Sequence, residues 1–519
     1  MLKSEDKKIL LFVALISIIG ALFLVAVTSR FGPGISHDSV AYIYASRSFL
    51  NGNGFRYFGY EAPYVQWPPL LPVALALFEI LGLDALTASR LINIICLSLT
   101  IFFTGVWLDR YVKFRPLVIV GVLAVLLSIP LTYVSRYTWS EPLFILFATL
   151  FLFVTGLFTE KEDNRNFYLS ALFASLACLT RYIGAVFIVT GVIVVFIKRK
   201  GIVKKILHSM FFGFISFLPL SLWLVRNYIV SSTLTGIRTG SKYTFSQNAN
   251  LAFNVLISWF LPAERLKRVQ DADILLALKL LTVGVLLFCF MGIIAVFMAG
   301  ILSANSKGMI TEVFVKKSHL LVPVIFFTSY TLYLVVMSSK IAFDAIDNRL
   351  MSPVFIPLLL IILSAMDTMI TAHRGNIAKY VVLVSFAFWT IHPLSNALVN
   401  LRDSVQKGTG GFSTVRWINR ETIKYLQRNP TRKTVFSNYP DAIYILTGTP
   451  AMYPPRKNCG RLYGMEQFKQ SMERIKLSYL IWFKGNTNSL IYNVKELSEF
   501  FNVRHIAEVE DGDIYLISL

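Results

Sequence analysis

The sequence predicts an all-α polytopic membrane protein with about eleven transmembrane helices, followed by a small C-terminal α/β domain. Of its 519 residues, 55% are hydrophobic and 15% are charged, whereas soluble proteins carry roughly a quarter charged residues. The mean hydropathy is +0.62, and the chain is long enough to hold many spans. After about residue 400 the long apolar runs end, and short strand-like and helix-like segments alternate, which predicts a folded domain outside the lipid.

The spans are predicted from apolar runs near the ~20 residues that cross the hydrocarbon core. The stretch 69–83 is apolar but too short to cross, so we expect it to lie along the membrane surface. The predicted spans are 9–29, 86–108, 116–134, 142–158, 167–181, 182–198, 209–229, 273–300, 319–337, 353–370 and 380–398.

Lysine and arginine cluster in the short loops between these spans. The net charge of +21 would suggest a nucleic-acid partner in a soluble protein, but basic residues in alternate loops are what membrane topology requires. This bias predicts a cytoplasmic N-terminus, and an odd number of spans then puts the C-terminus outside. The predicted organisation is a transmembrane domain over 1–400 in the cytoplasmic membrane, with outer loops at about 30–85 and 226–272, and an extracytoplasmic domain over 401–519.

The tail after residue 400 has a strand and helix pattern of its own. Helical spacing begins at Val415 and runs to Leu426, and a second helix is predicted over 439–446. Strands are predicted over 434–437, 477–483 and 513–517. Strands that alternate with helices indicate a small α/β domain.

An acidic residue follows the first span in the segment His37-Asp38-Ser39-Val40-Ala41-Tyr42. A carboxylate at the membrane surface can take the proton of an acceptor hydroxyl as that oxygen attacks, so Asp38 is the leading candidate for a catalytic base. His37 is a second catalytic candidate, as an assistant to Asp38 or a hydrogen-bond partner of the substrate. The alternatives are that Asp38 caps a helix and that His37 is simply solvated. No metal site is predicted, and a divalent cation is left open.

Further polar residues stand at span ends on the predicted outer side. Glu141 is a third catalytic candidate, because an acid that enters an apolar run is costly; it could equally be a helix N-terminal acid. Guanidinium groups bind phosphate bidentately, although the arginines could instead pair with loop carboxylates or snorkel to the interface. The substrate-binding candidates are Arg181, Arg226, Arg349 and its neighbour Asp347, together with the loop aromatics Tyr64 and Trp67, which suit a sugar face, a lipid tail or an interfacial belt.

In the order and spacing of its motifs, the chain resembles the GT-C class of integral-membrane glycosyltransferases. It is similar to the branch of protein O-mannosyltransferases and lipid A aminoarabinose transferases. The motifs are the Asp38 segment, the turn Asn51-Gly52-Asn53-Gly54-Phe55, the step Trp67-Pro68-Pro69-Leu70-Leu71-Pro72, then Ser89-Arg90-Leu91, Leu179-Thr180-Arg181-Tyr182 and Arg349-Leu350-Met351-Ser352-Pro353.

This resemblance implies transfer of a hexosyl or pentosyl group from a polyprenyl-phosphate donor to a lipid, glycan or protein acceptor outside the cytoplasm. The anomeric centre would invert, Asp38 would be the base, and Arg181, with Arg226 or Arg349, would bind the donor phosphate. The chain departs from the pattern at Gln66 and Trp67, because no basic residue precedes the Pro-Pro step. The alternatives are a lipid-linked-sugar flippase or transporter without bond chemistry, and an assembly partner with an inactive site.

Overall fold

The computed structural model describes residues 4–60, 62–260, 318–372, 376–457, 463–485 and 489–519. Its contacts divide the chain into two compact units. We call the first, Met1–Val27, Gln66–Leu71 and Arg90–Arg402, the helical unit. We call the second, Thr28–Val65, Pro72–Ser89 and Asp403–Leu519, the sheet unit.

Helices make up most of the described chain. In chain order they are α1 (Ser4–Val27), α2 (His37–Leu50), α3 (Leu70–Ile80), α4 (Ala85–Tyr111), α5 (Arg115–Leu126), α6 (Ile129–Ser135), α7 (Glu141–Lys161), α8 (Asn164–Thr180), α9 (Ala185–Lys198), α10 (Ile202–Ser231), α11 (Phe245–Ser258), α12 (Ser318–Lys340), α13 (Asn348–Met351), α14 (Phe355–Ala372), α15 (Asn376–Lys407), α16 (Val415–Ile418), α17 (Glu421–Arg428), α18 (Pro440–Thr447), α19 (Met465–Ile475) and α20 (Val494–Leu497). Single 3₁₀ turns, Tyr182–Gly184 and Ser352–Val354, precede α9 and α14.

The predicted spans coincide with helices wherever the structure describes the chain. Within those residues, six helical stretches are long and apolar enough to cross a membrane, and the pair α5 and α6, bent by 41°, would form a seventh. The apolar helix α3 has 11 residues, too few to cross. The predicted span 273–300 lies outside the described residues. The chain is therefore a polytopic membrane protein with a small C-terminal sheet, and the predicted fold class is confirmed.

Aromatic side chains form the centre of the helical unit. Phe187 of α9 meets Phe144 and Phe151 of α7, with ring centroids 5.2 Å apart in each pair, and Phe326 of α12 at 4.7 Å. Edge-to-face pairs at these distances are favourable arrangements of aromatic rings. Gly191 allows α9 to lie close to α10, because a Cβ atom there would be only 2.2 Å from the ring of Phe212.

A five-stranded mixed sheet forms the core of the sheet unit. Its strands are β3 (Val435–Ser437), β4 (Ala451–Met452), β5 (Leu477–Phe483), β6 (Asn502–Val509) and β7 (Gly512–Ser518), in the spatial order β4-β3-β5-β7-β6; β1 (Arg56–Tyr57) and β2 (Ala62–Pro63) form a separate two-stranded hairpin. β3 is parallel to β4 and β5, whereas β7 is antiparallel to β5 and β6. The three predicted strands are present, and β4 and β6 were not predicted.

The segment before α2 and the tail after residue 402 are joined within the sheet unit by backbone pairing. Ile35 donates to the carbonyl of Gly410 at 3.2 Å and accepts from the amide of Phe412 at 2.8 Å. Gly411 has a φ of +57°, and a Cβ atom there would be 1.9 Å from the carbonyl oxygen of Ile35, so only glycine fits this close approach. The pairing fixes the chain immediately before α2, the helix that carries Asp38.

Candidate functional site

Glu141 forms the centre of a buried ion cluster in the helical unit. It is the first residue of α7 and is 1% exposed. Its Oε1 atom lies 2.5 Å from Nη1 of Arg181 and 2.5 Å from Nε of Arg349. The structure thus brings together three residues that the sequence nominated separately, and the predicted alternative of arginine–carboxylate pairing applies to both arginines. We call these three residues the Arg-Glu-Arg cluster.

Neighbouring side chains hold the two guanidinium groups in place. The side chain of Arg349 stacks on Trp139, with Cζ 4.1 Å from the ring centroid, and Nη1 of Arg181 donates to Oγ of Ser140 at 3.1 Å. The amino end of α7 carries a partial positive charge that favours the carboxylate of Glu141. Because two guanidinium charges meet one carboxylate, the cluster itself carries a net charge of about +1, which is suited to an anion.

Two further arginines of the helical unit, Arg136 and Arg226, lie over aromatic rings. Arg136 lies over Tyr133 and Tyr137 at 5.2 and 5.7 Å. Arg226 lies 4.7 Å from the centroid of Trp223 and donates to the side chain of Asn227 at 3.1 Å. Cationic groups stacked on aromatic faces are held in a fixed orientation.

The segment before the Pro-Pro step contacts an arginine from a distant loop. Nη2 of Arg238 donates to the carbonyl oxygen of Gln66 at 2.9 Å, next to the half-buried Trp67. The sequence has no basic residue at this step, but the fold supplies one from the loop between α10 and α11.

Asp347 and Tyr64 have clear structural roles. Oδ1 of Asp347 caps α13, accepting from the amides of Arg349 and Leu350 at 3.0 and 3.1 Å. Tyr64, in the sheet unit, is fully buried, and its backbone amide donates to the carbonyl of Phe55 at 3.0 Å. Both remain predictions as substrate-binding residues.

Asp38 lies in the first turn of α2, in the sheet unit, and is half-buried. The N-cap of this helix is Ser36, which exchanges hydrogen bonds with Ser39 in a capping box. The cap is therefore a serine, and Asp38 is the next acid along the turn, where the helix dipole favours a negative charge. This removes the capping alternative for Asp38.

His37 packs against residues of the tail. Its Nδ1 atom lies 3.1 Å from Oδ2 of Asp441 and 3.3 Å from the hydroxyl of Tyr453, and its ring meets Phe412 edge-on at 5.3 Å. Burial alone would lower the pKa of His37, but the hydrogen bond to Asp441 and the charges of Asp441 and Asp38 outweigh it and raise the pKa overall. Although its ring is still 59% exposed, His37 is held as an ion-pair partner and is not simply solvated.

A cavity of about 240 Å³ opens beside His37 in the sheet unit. Tyr453 donates a hydrogen bond to Asp441, and burial together with the charge of Asp441 raises the pKa of Tyr453 well above its usual value, so its phenol keeps its proton. We call this cavity the His37 pocket, and its lining includes Tyr57, Tyr60, Asp441, Tyr453 and Arg456.

The sequence did not nominate Asp441, Tyr453 or Arg456. Each lies about 400 positions from His37, and no spacing rule connects them. The only signal in the sequence was the unusual density of tyrosine around 57–64 and 439–453. Within the described residues, no three His, Cys, Asp or Glu side chains come together as metal ligands.

Comparison with known proteins supports the resemblance drawn from the motifs. The profile of the dolichyl-phosphate-mannose-protein mannosyltransferase family matches residues 66–223. No curated protein sequence matches the chain significantly.

Solved structures match over nearly the whole chain. ArnT from Cupriavidus metallidurans bound to undecaprenyl phosphate has a TM-score of 0.62 at 12% identity, covering 97% of this chain and 98% of ArnT. The apo form of the same protein gives a TM-score of 0.58. The archaeal oligosaccharyltransferase AglB from Archaeoglobus fulgidus, in complex with an inhibitory peptide and a dolichol-phosphate, gives 0.50 at 13% identity, covering 91% of this chain and 69% of AglB. The fold is that of the GT-C class, and the predicted resemblance is confirmed.

Proposed function

We propose that the protein transfers a hexosyl or pentosyl group from a polyprenyl-phosphate donor to an acceptor outside the cytoplasm, with inversion. The observation that carries the proposal is the Arg-Glu-Arg cluster, in a fold shared with membrane glycosyltransferases. A buried cluster with one more positive than negative charge is suited to an anion that arrives with the substrate, and a phosphate leaving group is such an anion.

The donor class is supported by the structural relatives. The matched structure of ArnT contains undecaprenyl phosphate, and that of AglB contains dolichol-phosphate. Both carriers join a phosphate to a long polyprenyl tail. Such a tail is compatible with this protein, because its helices are apolar enough to lie in lipid. In our proposal the carrier lies among the membrane helices, and the guanidinium groups of Arg181 and Arg349, assisted by Arg226, bind its phosphate.

In the proposed reaction, the acceptor hydroxyl oxygen attacks the anomeric carbon while Asp38 takes the hydroxyl proton. The bond from the anomeric carbon to the phosphate oxygen breaks, and its electron pair leaves on the polyprenyl phosphate. Arginines that contact this phosphate stabilise the charge that develops there. Attack opposite the leaving group inverts the anomeric centre.

The proposed reaction requires the transmembrane protein to have one orientation in the membrane. The positive charge of the short loops supports a cytoplasmic N-terminus, with residues 401–519 as an extracytoplasmic domain of a multi-pass protein in the cytoplasmic membrane. The acceptor, whether lipid, glycan or protein, is then an envelope component.

A donor panel tests the proposal. Purified protein in lipid nanodiscs is incubated with undecaprenyl and dolichyl phosphates that carry mannose, glucose, galactose or arabinose, together with membrane extract, and free polyprenyl phosphate is measured. We expect release from at least one donor, and a loss of about a hundredfold or more in Arg349→Gln, as for removal of a transition-state donor. Arg110→Gln, which breaks a pair at the other end of α7 with a side chain 43% exposed, is the matched control. Donor translocation in liposomes without any release would favour the transporter instead.

A further inference from the structure

The His37 pocket has a composition that donor-phosphate binding does not require. Its lining combines three tyrosines with one carboxylate and one guanidinium group, all within the sheet unit. The carboxylate of Asp441 is buried, with its side chain 4% exposed. Buried carboxylates are hydrogen-bonded or paired in folded proteins, and Oδ2 of Asp441 has both kinds of partner, in Tyr453 and His37.

The charged side chains of the pocket lining are held in fixed orientations by their contacts. Oδ2 of Asp441 accepts from both Tyr453 and His37, and helix α18 carries this carboxylate in its first turn. Arg456, also in the lining, lies over the ring of Tyr60 with Cζ 5.1 Å from the centroid. A fixed carboxylate accepts hydrogen bonds from hydroxyl groups, and a stacked guanidinium donates to oxygens in a planar fork.

Three tyrosines of the lining stack on one another. Tyr60 stacks on Tyr453 at 5.2 Å with an interplanar angle of 12°, and on Tyr57 at 6.1 Å with an angle of 11°. Rings stacked in this way form one rigid group, and each tyrosine combines an apolar ring with a polar hydroxyl. A lining that combines aromatic rings with charged, hydrogen-bonding groups matches a sugar ring, which has C–H groups on its faces and hydroxyls around its edge.

The size of the pocket limits its occupant. Cavities for drug-sized ligands measure about 300–1,000 Å³, and this one is about 240 Å³. That volume suits a single sugar ring. A lipid tail or an extended peptide would need a longer groove.

We propose that the His37 pocket binds one sugar ring of a substrate, with ring hydroxyls on Asp441 and Arg456 and a C–H face against the tyrosines. Asp38, the proposed base, follows His37 in the first turn of α2 and is not itself part of the pocket lining. The assignment of this ring to the donor or to the acceptor rests on the proposed function, whereas the binding of a sugar ring does not.

Saturation-transfer NMR on the purified full chain in nanodiscs tests this directly. The probes are the methyl α- and β-glycosides of mannose, glucose, galactose and arabinose. We expect transfer to the ring protons of at least one glycoside, with binding about tenfold weaker in Arg456→Gln and Asp441→Asn, the loss of one hydrogen bond to a charged group. Arg504→Gln, on the exposed face of β6, is the matched control.

The outcomes distinguish a donor sugar from an acceptor sugar. They also test the sugar pocket separately from the proposed transferase function. Displacement of the glycoside by farnesyl-phosphoryl mannose, but not by farnesyl phosphate, would identify the ring as the donor sugar; no displacement by either identifies an acceptor. Asp38→Asn should lose release of polyprenyl phosphate and keep the glycoside signal. If wild type itself releases none from any donor while its glycoside signal is intact, only the proposed function is rejected. The sugar pocket is overturned if no glycoside gives a signal that depends on Arg456, or if a seryl tripeptide gives one instead. Asp441 is buried, so loss of binding in Asp441→Asn can also follow from misfolding. Arg456 is only partly buried, and the result for Arg456→Gln therefore decides whether the pocket binds the sugar.

Discussion

The substitution Glu141→Gln tests whether the Arg-Glu-Arg cluster is a buried ion network. The substitution keeps the shape of the side chain and removes the one negative charge between Arg181 and Arg349, each 2.5 Å from Oε1. Removing one partner of a buried ion pair costs about 3–5 kcal/mol. With Glu141 1% exposed and the arginine side chains 16% and 13% exposed, we expect a loss of unfolding free energy in that range.

The same helix provides an internal control. Glu160, near the other end of α7, pairs with Arg110 at 2.6 Å, but the two side chains are 26% and 43% exposed. Exposed pairs of this kind contribute about 0–1 kcal/mol, so Glu160→Gln should cost at least ~2 kcal/mol less than Glu141→Gln.

Reversible unfolding in mixed detergent micelles, titrated with sodium dodecyl sulfate, measures both variants against wild type. A second readout follows from the charge, because Glu141→Gln leaves two guanidinium groups facing each other. Undecaprenyl phosphate should therefore stabilise this variant more than it stabilises wild type. If Glu141→Gln proves no more destabilising than Glu160→Gln, the cluster is not the buried ion network described here.

Three further predictions use the same unfolding assay. Asp367→Ala removes the acceptor of the backbone amides at 113 and 114, bonded at 3.0 and 2.7 Å, and should cost about 2–3 kcal/mol; a loss under ~1 kcal/mol contradicts it. Gly411→Ala forces a Cβ atom against the carbonyl of Ile35 and should cost about 3 kcal/mol or more and reduce any transfer activity. Because the pKa of His37 is raised above 6.5 in the folded state, its pairing with Asp441 stabilises fully below about pH 6.5 and is lost as pH rises through the raised value. The stability difference between wild type and His37→Gln should therefore shrink from pH 6 to pH 8, and a difference that grows would refute it.

Gly448 is a matched control for the Gly411→Ala prediction. It separates the cost of a steric contact from the cost of a positive φ. Gly448, the C-cap of α18, has a φ of +71° but no atom within 4 Å of a Cβ placed there. Gly448→Ala should cost only the conformational strain, about 1 kcal/mol. Equal losses in the two variants would mean that the contact with the first outer loop is not what requires Gly411.

Most of the architecture could be predicted because apolar length and alternation are local signals. The predicted spans in the described residues are helical, although 116–134 is divided between α5 and α6, and strand β5 begins and ends where predicted. Strand β6 was missed because it is an edge strand with charged and exposed residues, including Arg504 and His505, and a bulge between His505 and Ala507. The predicted helix from Val415 to Leu426 is two helices, α16 and α17, broken at Asn419 and Arg420.

The site was harder to predict because its contacts are non-local. The sequence identified Glu141, Arg181 and Arg349 individually, as costly charges at span ends, but Glu141 and Arg349 are 208 positions apart and only the fold pairs them. Asp441 resembled an ordinary helix N-terminal acid in the sequence. Its ion pair with His37, and the cavity that both line, depend on the tail packing with the first outer loop in one unit.

The most direct test of the account is the release of free polyprenyl phosphate by Asp38→Asn, measured on the donor that wild type uses. A general base contributes about 10²–10⁴ in rate, so the account predicts a loss of that size with donor binding and unfolding free energy unchanged. Asp403→Asn, a side chain 46% exposed in a surface pair with Lys407, should release at the wild-type rate. Release by Asp38→Asn within a few-fold of wild type would contradict the assignment of Asp38 as the base, and with it the central mechanism proposed for this protein.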